Sequence, residues 1–264
     1  MNTPRNLIIV IPCYNEEKRF TTLGDEYTSF LNRNEDVLLC FVDDGSTDNT
    51  VNSLQDLKRE HESKIEIFVS PKNQGKAEAV RAGILYCNSN FDHEFIAFLD
   101  ADLSTSFSEC LRLYNYIKEN KLIGFAFASR ILKIGSDIQR KKFRFVTGRI
   151  IATIISSILG LKVYDTQCGC KVFKKDLAGD LFREKFISKW LFDVELFFRM
   201  IHLYGHKGAI ERMVEMPLKL WVDKGDSKVR MSYFFKLWVD LFRIKRRYRG
   251  KDRNKDTVIV KNES

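Results

Sequence analysis

The sequence predicts an α/β fold: a mostly parallel central sheet flanked by helices, followed by a C-terminal amphipathic helix. Three observations predict it. Short continuous apolar runs recur through the first half, as expected of strands buried on both faces. Amphipathic stretches separate them, the order that builds βαβ units. A polar cluster stands at the carboxyl end of nearly every run, where open parallel sheets bind ligands.

Leu7–Ile11 is the first strand, ended by Pro12-Cys13-Tyr14-Asn15, and a helix is expected over Glu16–Leu31. Val37–Val42 is the second strand, closed by Asp43-Asp44-Gly45-Ser46. Asp48 is placed to cap the helix that follows. Ile65–Val69 is the third strand, and Asn73-Gln74-Gly75 leads into a helix through Ala77, Val80, Ile84 and Leu85. Phe95–Leu99 is the fourth strand and runs into Asp100-Ala101-Asp102. A helix over Ser108–Asn120 precedes a fifth strand, Phe125–Ala128. The second half is less regular. It offers a helix over Lys142–Leu159, an amphipathic helix over Trp190–Leu203, an extended stretch over Ile210–Leu220 and a final helix over Ser232–Tyr248. Residues 1–220 are expected to form the main domain, and 221–264 an amphipathic helix with a basic tail.

The chain has 264 residues, 44% hydrophobic and 30% charged, enough for one large core and unlike a disordered or fibrous class. Its six cysteines form no CxxC pair, and Cys168-Gly169-Cys170 is too tight for a zinc ribbon. They are expected as reduced thiols in a cytoplasmic protein. Met1–Asn6 is short and polar, so no secretory signal is expected. No run reaches the roughly 18 uncharged residues of a membrane-spanning helix.

The net charge of +9 is concentrated in two clusters, Arg140–Arg149 and Arg243–Lys255. Such clusters favour polyanions: nucleic acid, anionic lipid or phosphorylated substrates. Nucleic acid is not the expected partner, because the acidic strand ends would repel its phosphates. Helices 142–160 and 232–248 each pair cations with a broad apolar face, a pattern that suits a membrane interface. The expectation is peripheral contact at the inner face of a membrane, with a membrane partner protein as a further possibility.

Asp100 and Asp102 carry the most chemistry. Alternate residues leaving a strand can point to one side, and two carboxylates so placed repel unless a cation joins them. Few oxygen ligands suit Mg²⁺ or Mn²⁺, which take their remaining ligands from water and substrate phosphates. The plainer alternative is that Asp102 caps the next helix. Asp43 and Asp44 could shape a turn or accept from a base imide or ribose hydroxyl. There is no Gly-x-Gly-x-x-Gly after the first strand and no P-loop, although Lys76 at a helix start could reach a phosphate. Asp193 and Glu195 could bind sugar hydroxyls or orient an acceptor, or be ordinary exposed helix acids.

The stretches IPCYNEE, VDDGSTD, NQGKAEAV and FLDADLS, in that order, resemble the nucleotide-sugar half of family 2 inverting glycosyltransferases of GT-A fold. ASR, DTQCGCKVF and WLFDVELFFRM resemble the polyprenyl-phosphate branch, dolichyl-phosphate mannose synthases and, more closely, dolichyl-phosphate β-glucosyltransferases. The resemblance spans about residues 6–220. It implies that Pro12, Tyr14 and Glu16 line the base and ribose pocket, with Asp43 or Asp44 completing it. Asp100 and Asp102 would hold Mg²⁺ or Mn²⁺ and the diphosphate, with the Ala101 backbone nearby. Ser104 stands where the mannose synthases can carry a glutamine ligand. Arg130 and Arg144 would grip the acceptor phosphate, and Gly148 stands where the branch can carry a serine. The implied reaction moves a hexose from a nucleotide sugar, UDP-glucose ahead of GDP-mannose, to a polyprenyl phosphate. The alternative acceptor is a saccharide hydroxyl in cell-surface polysaccharide synthesis.

Overall fold

A computed structural model describes residues 5–132, 134–139, 142–222 and 232–248. The expected basic tail beyond Tyr248, and Arg140 and Lys141 of the first basic cluster, lie outside them. In chain order the elements are β1 (Arg5–Cys13), α1 (Glu17–Arg33), β2 (Val37–Asp43), α2 (Thr50–Glu60), β3 (Ile65–Val69), α3 (Lys76–Asn90), β4 (His93–Leu99), α4 (Phe107–Glu119) and β5 (Phe125–Ser129). They continue with β6 (Asp137–Gln139), α5 (Lys142–Leu159), β7 (Cys170–Lys174), α6 (Lys175–Phe182), α7 (Phe192–Arg212), β8 (Met213–Pro217), β9 (Leu220–Val222) and α8 (Ser232–Tyr248).

Seven strands form one sheet in the order β3-β2-β1-β4-β7-β5-β8. The pairs β1–β2, β1–β4, β2–β3 and β5–β8 are parallel. The α/β, GT-A-type architecture expected from the sequence is the one observed. β1 explains why: Leu7 to Ile11 are all buried, because helices cover both faces of the sheet. One face packs Leu7, Ile9 and Ile11 against α1 and α4 residues such as Tyr27 and Leu113. The other packs Ile8 and Val10 with residues of α3, α6 and α7. The alternation of side chains along a strand makes that division automatic. All six cysteines are buried free thiols.

Several local expectations change. β7 runs antiparallel between β4 and β5, interrupting the parallel order. The helix expected to end at Leu203 bends at Gly205, whose φ of 66° suits glycine, and continues to Arg212. Residues 210–212 are therefore helical, and only β8 and β9 are extended. Asp48 is not the residue directly before α2. Its carboxylate instead accepts from Thr50 N at 3.0 Å and Glu17 N at 3.3 Å, joining the starts of α1 and α2. Asp102 does not cap α4 either; Ser106 does, accepting from Glu109 N at 3.4 Å. That leaves Asp102 to the loop. Among the described residues no helix is long and apolar enough to cross a membrane.

Candidate active site

A cleft of about 450 Å³ opens at the carboxyl ends of β1, β2 and β4. It is lined by Pro12, Tyr14, Glu16, Asp44, Lys76, Asp100, Ala101 and Asp102 among others. Most of the predicted donor-side residues thus converge on one cavity. The strand order 2-1-4 produces this convergence, because the chain reverses direction in the sheet at β1.

The loops around the cleft hold one another. Asn15 has φ 55°, a left-handed conformation that asparagine tolerates. From there its amide donates to Ser46 Oγ at 2.9 Å and its Oδ1 accepts from Thr47 N at 2.8 Å. Asp44 accepts from Gln74 N at 2.8 Å and Gly75 N at 2.7 Å. Both oxygens therefore serve the start of α3, where a carboxylate also faces the positive end of the helix. Asp43 is fully buried, accepts from Ser46 N at 3.1 Å and does not line the cleft. The expectation that one of these aspartates contacts the base is thereby narrowed. Asp43 is buried behind the cleft wall, and Asp44 borders the cleft with one backbone N–H on each carboxylate oxygen.

The Asp100–Asp102 turn is tight. Leu103 N donates to Asp100 O at 3.1 Å, and Leu103 takes φ 49° while its side chain is buried. Core packing of that leucine holds a conformation it would otherwise avoid. Tyr27 OH, buried beneath the turn, donates to Ala101 O at 2.9 Å. Asp102 Oδ1 accepts from Ser104 N at 2.8 Å. Ser104 thus supports Asp102 through its backbone amide, and it is not among the residues that line the cleft. Asp100 Oδ1 forms an ion pair with the Lys76 ammonium. Burial disfavours the Lys76 charge, but Asp100, Asp193 and Asp102 more than offset it and hold its pKa above the ordinary value. Lys76, the first residue of α3, lines the cleft with its ammonium on Asp100. Burial raises the Glu16 pKa, Arg19 opposes, and Asp102 adds to the rise. Glu16 pairs with Arg19 at 2.5 Å.

Two carboxylates in one cleft, Asp100 and Asp102, are hard oxygen donors suited to Mg²⁺ or Mn²⁺ completed by water and phosphate. Asp100 Oδ1 is buried with the Lys76 ammonium as its ion-pair partner and has no hydrogen bond from any other described group. No group of three or more potential ligand side chains occurs among the described residues. The residues therefore fit an ion shared with a substrate rather than one enclosed by protein.

Arg130 is committed. Its Nε donates to Asp165 Oδ2 at 2.6 Å, its Nη2 to Oδ1 at 2.9 Å, and its backbone N to Oδ2 at 3.2 Å. This bidentate fork leaves Nη1 without a hydrogen-bond partner among the described residues. Burial pushes the Asp165 pKa upward, but the Arg130 guanidinium outweighs it and holds the carboxyl well below the usual carboxylate range. A depressed folded pKa contributes stability above the unfolded value of about 3.9 and loses it as pH falls further. Asp165→Asn is therefore expected to lower stability at neutral pH and to flatten the acid-induced loss below about pH 4. Urea unfolding at a series of pH values checks both. Arg144 lies on α5, and its side chain is outside the described ones.

Asp193 and Glu195 differ from expectation. Neither is exposed. Asp193 Oδ1 accepts from the fully buried Lys171 Nζ at 2.6 Å, and Lys171 also donates to Cys168 O at 2.7 Å. Burial raises the Asp193 pKa against the pull of Lys171 and Lys76. Glu195 accepts from Ile187 N at 2.8 Å, Arg199 Nη2 at 2.8 Å and Tyr248 OH at 3.0 Å. Neither carboxylate lines the cleft: Asp193 supports the cleft from behind, and Glu195 braces α7 against α8. The sequence reading missed Asp165, Lys171 and Glu215. Their partners lie far away in the chain, although DTQCGCK marked the segment that carries the first two.

The profile described as Glycosyl transferase family 2 matches residues 8–182. The chain is similar to a dolichyl-phosphate beta-glucosyltransferase of Trichomonas vaginalis, 32% identical over 89% of this chain and 69% of that protein. It is also similar to the human dolichyl-phosphate beta-glucosyltransferase, 28% identical over 89% of this chain and 78% of that one. Among solved structures it resembles glucosyl-3-phosphoglycerate synthase from Mycobacterium tuberculosis, crystallised with Mn²⁺, UDP and phosphoglyceric acid. The TM-score is 0.66 at 16% identity, covering 93% of this chain and 79% of that one.

Proposed function

The chain belongs to glycosyl transferase family 2 and is a hexosyltransferase; on that premise we propose that it moves glucose from UDP-glucose to a polyprenyl phosphate of the dolichyl type. One observation carries the reading. A cleft with two carboxylates and a lysine lies on the same sheet edge as a half-buried, permanently charged arginine, Arg130, at the end of β5. A sugar diphosphate and a second phosphate need that pairing of features. The names of the relatives support glucose and dolichyl phosphate, and the UDP complex of the structural neighbour supports the nucleotide.

A phosphate monoester is largely dianionic at neutral pH, with a second pKa of about 6. It is a nucleophile without a strong base. This agrees with Asp193 and Glu195 being buried and paired. The chain's own task is to bring two anionic substrates together. Arg130 offers its free guanidinium edge to the acceptor phosphate, with Arg144 as its expected companion. Lys76 faces the donor diphosphate. Tyr14, exposed at the cleft wall, is placed to stack on the base. Asp100 and Asp102 would hold Mg²⁺ or Mn²⁺, which when bound supplies positive charge for the departing nucleoside diphosphate. In-line attack by the phosphate oxygen on the anomeric carbon breaks the bond to the diphosphate and inverts an α donor to a β product.

A lipid acceptor also gives α8 a role. Leu241 and Ile244 pack inward, while Trp238, Val239 and Phe242 face outward beside the exposed Arg243. This suits an interfacial helix, and peripheral membrane contact is part of the proposal. Purified protein with Mn²⁺, a panel of sugar nucleotides and a short polyprenyl phosphate tests the whole reading. The expected product is a β-glucosyl phospholipid formed from UDP-glucose. Transfer only to saccharide hydroxyls, or none with any donor and membranes, overturns it.

A further inference from the structure

One short stretch of backbone, Asp165 to Lys171, meets both substrate sides. At its centre Gly169 lies directly against Asp100. A methyl group built on Gly169 would stand 2.0 Å from Asp100 Oδ2 and 2.4 Å from its Cγ. Gly169 O also accepts Asp100 N at 3.1 Å. Lys76 engages the other oxygen, Oδ1. The carboxylate is therefore set from two sides, by an ammonium and by a bare backbone. At the start of the stretch Asp165 holds Arg130 through its two-pronged fork.

The stretch is itself pinned. The Glu215 carboxylate, on β8, accepts from Tyr164 N at 2.9 Å and from Asp165 N at 2.8 Å. Lys171 Nζ ties back to Cys168 O at 2.7 Å. Cys168 and Cys170 are buried in the core, and Cys170 opens β7 between β4 and β5. A segment held this firmly can transmit position.

We propose that Gly169 and Asp165 are positioning residues on one rigid turn, which fixes the donor-side carboxylate of Asp100 relative to the acceptor-side guanidinium of Arg130. The proposal rests on the glycosyl-transfer reading above and deepens it. Each residue acts through another: Gly169 by leaving room, Asp165 by holding a fork.

The two ends of the turn are separable by experiment with the full-length protein. Calorimetric titration with UDP, in Mn²⁺ and in EDTA, reads the donor side; the KM for a short polyprenyl phosphate reads the acceptor side. The Asp100 side chain is 34% exposed, so it can swing away from an added methyl without disturbing the core. Gly169→Ala is expected to weaken UDP binding in Mn²⁺ at least about ten-fold and to leave binding in EDTA unchanged. Asp165→Asn is expected to raise the acceptor KM about ten-fold and to leave UDP affinity in Mn²⁺ unchanged. A Gly169→Ala protein that keeps its Mn²⁺-dependent UDP affinity overturns the proposal. So does one that does not fold, because Asp100 alone was to absorb the clash. Donor and acceptor constants that decline together in both variants, in step with melting temperature, also overturn it. Wild-type protein that binds no UDP in either condition overturns the donor reading itself, a failure distinct from these.

Discussion

Asp102→Asn is expected to lower kcat for glucosyl transfer by roughly 10²–10³-fold, and to leave the melting temperature within a few degrees of wild type. Asp102 Oδ1 accepts from Ser104 N, a bond that the asparagine oxygen can keep. The local turn, with Leu103 in its left-handed conformation, is therefore preserved. The lost quantity is one negative charge facing the cleft beside Asp100. A carboxylate holding a divalent ion against a leaving diphosphate is worth several kcal/mol of transition-state stabilisation, and each 1.36 kcal/mol corresponds to about ten-fold in rate. Steady-state kinetics at saturating donor and Mn²⁺, paired with a thermal melt, checks this. A kcat within threefold of wild type would remove Asp102 from the chemistry.

Lys171→Met is expected to destabilise the fold by about 3–5 kcal/mol. Lys171, the second residue of β7, is fully buried, with its ammonium on Asp193 and Cys168 O and 5.1 Å from the Phe98 ring. Methionine replaces the stem but leaves Asp193 as a buried carboxylate short of its main cation. Burial already raises the Asp193 pKa, and Lys171 is the leading opposing influence. In the variant, Asp193 binds a proton more readily folded than unfolded. Stability then falls as pH rises through its folded pKa, so the deficit is larger at pH 8 than at pH 5. Adding Asp193→Leu removes the stranded charge and is expected to recover most of the loss. Urea unfolding of the single and double variants at both pH values decides it. Equal stability of the single variant and wild type would mean that the pair contributes nothing net. Domains typically have 5–15 kcal/mol to spare, so the single variant remains folded but marginal.

The sequence was most legible where one residue's environment decides its neighbours. β1 to β5 and α1 to α4 were read within a few residues, because strands buried on both faces must be continuously apolar and the helices between them must be amphipathic. β7 was not read as a strand: Cys-Lys-Val-Phe-Lys places a lysine where a central strand normally has none. The distant Asp193, with the Cys168 carbonyl, makes that lysine tolerable. α7 runs past its expected end at Leu203, because the chain bends at Gly205 and the helix resumes beyond it. The same division holds at the site. Asp100, Asp102 and Lys76 announce themselves at strand and helix ends. Asp165, Gly169 and Glu215 matter through contacts that local pattern does not record, and Asp43 and Asp193 carry charges that the core takes inside.

The insertion of β7 also has a consequence for how the chain becomes a protein. β3, β2, β1 and β4 can assemble from successive βαβ units, each closing a short loop. β5 and β8 join them only through β7, whose partner β4 ends at Leu99. Until residue 174 has emerged from the ribosome, β4 presents an unpaired apolar edge, the kind that recruits other chains. Long-range closures of this sort are slow relative to local ones. The Gly169 seat beneath Asp100 also forms only at that last closure. A nascent or truncated chain could thus carry a nearly complete nucleotide-side sheet and still be both sticky and inert, and completion of the sheet and competence for catalysis would arrive in the same event.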